Sequence, residues 1–275
     1  MGRSGMAAVS LFVALVVGMP AASAASASPP VWAYCAKASP KNTGAYSDKA
    51  CTSAAVGHTG PYELLNGIGK GKPFKGINGL NGGVDFHWQV PALVTINVSC
   101  QQSKISGRFL APNMLAGVVI SMAKCTAQPF MEQKTETCSV STQPLSGELG
   151  WIDQGKGEVG VKLTSEAAPE GLFADFSGCF NEVKVRAQGS LILGWGPVGV
   201  ITGAPVLASG LIGEGYEEEG KSCQKEFFDP AAFEGEAGRH VLNGEILELE
   251  KPLPPCEEAS LQTSLKLKGE ALMVH

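Results

Sequence analysis

Asp85, His87 and Gln89 occupy alternate positions of Val84-Asp85-Phe86-His87-Trp88-Gln89-Val90, and an aspartate beside a histidine on one strand face is how a hydrolase orients a general base. That chemistry needs a nucleophile, and the chain has no G-x-S-x-G elbow to supply one. A histidine on the polar face of a strand is most often simply solvated. His58, His240 and His275 are scattered and match no H-E-x-x-H or i, i+2 histidine pattern, so the sequence holds no recognisable metal centre. A glycosidase would need two carboxylates about 5 to 10 Å apart in a cleft. Glu217, Glu218, Glu219, Asp229, Glu248 and Glu250 are available, but the run Gly213 to Gly220 reads as a solvated loop. Calcium loops are aspartate-rich, whereas this chain has five aspartates and none of them are grouped. Trp32, Tyr34, Trp88, Trp151 and Trp195 could stack on sugar rings, but Trp88 and Trp151 fall on the apolar phase of their segments, which favours core packing. No cofactor is expected.

Strands must position these side chains. Val84, Phe86, Trp88 and Val90 alternate with polar residues, and after Pro91-Ala92 the alternation resumes with Val94, Ile96, Val98 and Cys100, which predicts two consecutive antiparallel strands. Asn78-Gly79 and Asn81-Gly82-Gly83 upstream are turn signals. Further strands are expected at Gly117 to Lys124, Gly147 to Asp153, Glu158 to Thr164, Leu172 to Cys179, Glu182 to Gly194, Val198 to Thr202, Pro205 to Ile212, His240 to Glu250 and Leu261 to Val274. With 35 Gly, 17 Pro and 17% charged residues, the chain reads as all-β, an antiparallel sandwich or barrel-like sheet with short helical turns, stapled by disulfides. One helical turn is signalled by Asp229-Pro230-Ala231-Ala232-Phe233. No internal repeat is evident.

The N-terminus has the form of a secretory leader. Arg3 precedes the apolar run Ala7 to Met19, and small residues follow, so residues 1–24 read as a signal peptide with cleavage after Ala24 or Ala27. The 13-residue run is shorter than the roughly 20 residues a spanning helix needs. The apolar stretch Leu191 to Ile212 is broken by glycines and prolines, so a released protein without membrane insertion is expected. About 250 residues then remain, divided into a small N-terminal disulfide lobe over 28–66 and a main all-β domain over 67–275. The net charge of −5 becomes −6 without Arg3 and argues against a nucleic-acid partner. Within the main domain, Gly213 to Glu258 carries 13 acidic residues against four basic ones, while Ala36 to Leu80 carries six lysines against Asp48 and Glu63.

Eight cysteines follow the leader: Cys35, Cys51, Cys100, Cys125, Cys138, Cys179, Cys223 and Cys256. The even number suits disulfides in an oxidising compartment, and the absence of C-x-x-C argues against zinc. Spacing leaves the pairing open. Proximity favours Cys35 to Cys51 and Cys125 to Cys138, Cys100 and Cys179 would then tie two parts of a sheet, and Cys223 would close on Cys256.

Pro144-Leu145-Ser146-Gly147-Glu148-Leu149-Gly150-Trp151-Ile152-Asp153 followed by Glu158-Val159-Gly160-Val161-Lys162-Leu163 resembles a group of secreted, β-rich proteins of unknown function from high-GC soil actinobacteria. The likeness extends to Tyr34-Cys35, Cys51, Lys72 to Gly76, Cys100, Cys125 and Cys138, and it departs at the acidic segment around Cys223 and Cys256. The resemblance implies secretion and an all-β fold, and it implies no activity. The sequence therefore points to a non-catalytic secreted or envelope-associated β domain whose extracellular partner is a glycan or a protein. Its rival is an extracellular carbohydrate-active module, either a binding domain or a glycoside hydrolase. A third class, a disulfide-stapled protease inhibitor, would need an exposed rigid loop such as Gly67 to Gly76.

Overall fold

The structure is a computed structural model that describes residues 28–67, 70–78, 83–90, 94–128, 136–168, 171–179, 185–196, 199, 206–208, 232–236, 242–246, 258–268 and 272–274. They form β1 (Trp32–Lys37), β2 (Tyr62–Asn66), β3 (Pro73–Asn78), β4 (Val84–Val90), β5 (Val94–Ala111), β6 (Met114–Gln128), β7 (Glu136–Ser141), β8 (Leu145–Asp153), β9 (Glu158–Ser165), β10 (Leu172–Asp175), β11 (Val185–Gly196), β12 (Val206–Ala208), β13 (Leu242–Ile246), β14 (Glu258–Lys268) and β15 (Leu272–Val274), with short 3-10 turns at Val56–His58 and Ser177–Cys179.

Twelve of these strands share one antiparallel sheet, and its ladder closes on itself. Pairing runs from β5 to β6, β8, β9, β11, β12, β14 and β4, then back to β5. Short strands lie end to end at four positions of this ring: β3 with β4 along β5, β7 with β8 along β6, and β9 with β10 and β12 with β13 along β11. The twelve strands thus occupy eight positions, the size at which a barrel interior is just wide enough for side chains to fill. The expected sandwich-or-barrel alternative resolves in favour of the barrel.

Inward residues fill that interior. Phe86, Ile105, Leu115, Ile120, Met122, Leu145, Leu149, Leu163, Phe173 and Phe176 are all under 2% exposed, and each contributes about 1.5 to 3 kcal/mol by leaving water. Phe86 and Phe176 meet edge to face, with centroids 4.6 Å apart. The long strands do not keep a single phase. On β6 the core side moves from Leu115 to Val118, Ile120 and Met122, then to Cys125 and Ala127. The ladders shift at the same places, between Leu115 and Val118 and between Met122 and Cys125, where Gly117 (φ 57°) and Lys124 (φ 54°) lie. Each bulge adds one residue and turns the following side chains to the other face.

A separate three-stranded sheet, β15-β1-β2, has β1 at its centre and lies against one end of the barrel. Trp32 donates its backbone N–H to Pro112 in the β5–β6 turn at 2.9 Å. Its fully buried ring lies 5.3 Å from Phe109 and 6.1 Å from Trp195. The N-terminal lobe thus includes a strand from the far C-terminus. Gly44 and Gly60 pair across this lobe, and a Cβ on either would fall 2.0 Å from a backbone carbonyl oxygen, of Tyr62 and Tyr46 respectively.

Several strand expectations need correcting. Leu172 to Cys179 is not one strand, because β10 ends at Asp175 and a 3-10 turn carries Cys179. Leu261 to Val274 divides between β14 and β15, which belong to different sheets. Pro73 to Gly76, expected in an exposed loop, are part of β3 in the barrel wall. Of the expected helical turn, Asp229 to Ala231 lie outside the described residues and Ala232 and Phe233 are not helical. Most of Val198 to Thr202 also lies outside the described residues.

Candidate functional site

Three disulfides are formed among the described residues: Cys35–Cys51, Cys100–Cys125 and Cys138–Cys179. The first was expected, but Cys125–Cys138 and Cys100–Cys179 are corrected. The β5–β6 hairpin is long enough to place Cys100 directly opposite Cys125 although they are 25 residues apart. Cys138 stands in register with Cys125 on the other side yet bonds Cys179 in the turn after β10. Cys223 and Cys256 lie outside the described residues, as do Glu217, Glu218, Glu219, Asp229, Glu248 and Glu250.

The wall around His87 has a composition that sequence periodicity did not reveal. Because β4 runs between β5 and β14, His87 is in register with Asn97 and Ser260, and Asp85 with Ser99 and Gln262. Val84 and Phe86 face the core, which puts the alternating Asp85 and its register partner Ser99 on the outer side of the wall. A serine therefore stands one ladder step from the histidine at backbone level; the His87 side chain lies outside the described part of the structure. Asp85 in this row is half-buried.

Of the aromatic candidates, Trp32 (0% exposed) and Trp195 (4%) are core residues and cannot meet a sugar. Neither indole N–H has a hydrogen-bond partner among the described residues. Trp151 is half-buried and donates from Nε1 to the carbonyl of Ser28 at 3.0 Å. Tyr34 is half-buried beneath the Lys72 ammonium, 5.9 Å from its ring centre. The Trp88 side chain lies outside the described part.

The Gly-Glu-Leu-Gly-Trp-Ile-Asp stretch on β8 forms, with β9, a platform that holds residues 232–236 on the outer wall. Gly150 leaves a notch under the Phe233 ring, since a Cβ there would come within 2.6 Å of it. Lys162 on β9 lies 5.1 Å from the centre of that ring and reaches Glu236 at 2.9 Å and Glu148 at 3.1 Å. Glu234 donates its N–H to the Trp151 carbonyl at 2.8 Å and accepts the Gln154 N–H at 2.9 Å. The Lys162 side chain is 15% exposed. Burial pulls its pKa down, but hydrogen bonds and charge attraction from Glu236 and Glu148 outweigh that, leaving it above its ordinary value. The sequence marked this platform only as two expected strands, Gly147 to Asp153 and Glu158 to Thr164, and as the motif that carries the resemblance.

Cations elsewhere on this side are also matched. Lys156 pairs with Asp153 at 3.3 Å, and Arg186 with Asp175 at 3.3 Å. Among the described residues no cluster of His, Cys, Asp and Glu has the arrangement of a metal centre, and no helix is long and apolar enough to cross a membrane. Comparison with protein-family models, with curated proteins and with solved structures finds no match for this chain.

Proposed function

We propose that the mature protein is a secreted, non-catalytic binding domain that recognises an extracellular partner on the outside of its barrel. The observation that carries this reading is the filled interior. The core aromatics and aliphatics leave the inside of the wall apolar, and Trp32 closes one end, so polar recognition falls to the outer wall. The platform at Gly150 and Lys162 supports it, because that wall holds the turn at 232–236 by ring, charge and backbone contacts together. The leader-like N-terminus and the three disulfides support secretion.

The test has two parts. Full-length chain expressed with its leader should reach the medium with Ala25 or Ser28 as its first residue, by N-terminal sequencing. The purified protein, incubated with a panel of polysaccharides, should deplete a ligand without creating new reducing ends. Retention of the leader in the cell, or release of reducing ends at any turnover above the blank, would refute this function.

A further inference from the structure

We propose that the outer wall formed by β3, β4, β5 and β14 is a docking surface for an extended anionic polysaccharide, one that carries a carboxylate or sulfate group on its repeating units. On β5, Lys104 is in register with Ile77 of β3, which is in register with Lys266 of β14. One row along, Ser106, Lys75 and Lys268 are aligned in the same way, and Arg108 begins the next row opposite Pro73. Phe74 and Ile105 face the core, so Lys75, Ile77, Lys104 and Ser106 share the outer side. With strands about 4.8 Å apart and same-face residues about 7 Å apart, five cationic positions fall within roughly 10 by 14 Å.

Two observations distinguish this patch from an ordinary solvated face. The segments of β3 and β5 contain no Asp or Glu, β4 has Asp85 beyond the cation rows, and β14 has Glu258 at its opposite end. Lys75, Lys104 and Arg108 are exposed and make no ion pair with a described residue, whereas Lys156, Lys162 and Arg186 across the barrel are all paired. Glu166, whose carboxylate accepts the Gly117 N–H beside Arg108, forms no ion pair with it. In a chain of net charge −5, this wall is a concentrated cationic exception. Its anchored acidic strap, 232–236, lies on β8–β9, with Lys162 on the strand opposite β3 in the ring.

The neighbouring rows choose among polyanions. Continuing along the same wall, Asn97, Ser99, Ser260 and Gln262 flank Asp85 and His87. Hydroxyl and amide groups of this kind suit the hydroxyls of a sugar chain, while the cations suit its charged substituents. Single-stranded nucleic acid would call for aromatic platforms, and the described outer-facing residues of β3 and of β5 from Asn97 onward include none. The inference rests on the non-catalytic binding reading and names the class of partner.

Binding of the purified mature protein to immobilised polygalacturonate, dextran sulfate and neutral dextran tests it. Wild type should bind one or both charged polymers and not dextran, with affinity falling about tenfold or more between roughly 50 and 500 mM salt. The two charged polymers distinguish carboxylate from sulfate recognition. A Lys75→Glu/Lys104→Glu variant with an unchanged circular dichroism spectrum should lose about tenfold or more in affinity, while Lys156→Glu should match wild type. Equal loss in both variants, no binding to either polyanion, or tighter binding of single-stranded oligothymidine would overturn the assignment. New reducing ends would instead refute the non-catalytic reading, so the two failures are distinguishable.

Discussion

Trp32 offers a quantitative test of how the barrel end is built. Its indole is fully buried against Phe109 and Trp195, and its N–H has no hydrogen-bond partner among the described residues. Replacing it by alanine removes the whole side chain and should cost about 3 to 5 kcal/mol. Trp32→Phe removes only part of the indole. The lost burial is about 1 kcal/mol, and a residual cavity on the order of 40 Å³ adds about 1 kcal/mol. The same change removes an unpaired buried donor, whose desolvation costs about 1 to 3 kcal/mol. These terms nearly cancel, so Trp32→Phe should lie within about 1 kcal/mol of wild type. Urea unfolding followed by circular dichroism, with disulfides intact, separates the cases. With a slope of about 3 kcal/mol per molar, the alanine variant should unfold at least about 1 M earlier, and the phenylalanine variant within about 0.3 M of wild type. A Trp32→Phe midpoint closer to the alanine variant than to wild type would refute the reasoning and indicate a satisfied N–H, for example one bonded to an internal water.

Other expectations are as direct. Non-reducing peptide mapping should find Cys35–Cys51, Cys100–Cys125 and Cys138–Cys179, and a peptide joining Cys125 to Cys138 would contradict the hairpin register. Phe233→Ala or Gly150→Ala should free the 232–236 strap, raising amide exchange there by about tenfold, since the half-buried ring contributes about 1 to 2 kcal/mol; unchanged exchange in both variants would count against the platform. Because Lys162 titrates above its ordinary value in the folded state, its contribution is complete below pH 10.5 and fades as pH rises through the folded pKa. Lys162→Met should therefore flatten the alkaline end of a stability profile. Asp48 has the opposite sign. Hydrogen bonds from the Thr52 side chain and backbone lower its pKa from 3.8, so its contribution holds above that value and disappears on acidification, a dependence that Asp48→Asn should lack. Gly44→Ala should disrupt the lobe and speed reduction of Cys35–Cys51, measured by thiol labelling.

The hairpin at Val84 to Cys100 was legible because its alternation is unbroken and its partners are adjacent in sequence. β6 was harder. Its inward phase jumps at Gly117 and Lys124, and a period-two pattern cannot follow a strand across a bulge. β12 and β13 fall inside the expected strands Pro205 to Ile212 and His240 to Glu250, but their places in the sheet come from β11 and β14. Cys35–Cys51 follows from proximity, but the expected Cys125–Cys138 and Cys100–Cys179 fail because distance along the chain is a poor guide when a long hairpin folds Cys100 back onto Cys125. The polar wall around His87 and the cation rows at Lys75 and Lys104 depend on β14, whose residues lie far along the chain from both. Non-local register of that kind leaves no trace in local composition.

The position of β14 also governs how the molecule comes into being. It is the stave that seals the ring, pairing on one side with β12 and β13 and on the other with β3 and β4. A nascent chain cannot close its barrel until β14, more than 150 residues beyond β4, has been synthesised, and such long-range closure is slow. Refolding from denaturant should proceed on the millisecond-to-second scale or slower. A chain that stays open this long keeps Cys100, Cys125 and Cys179 reachable by an oxidant until the wall that buries them has sealed.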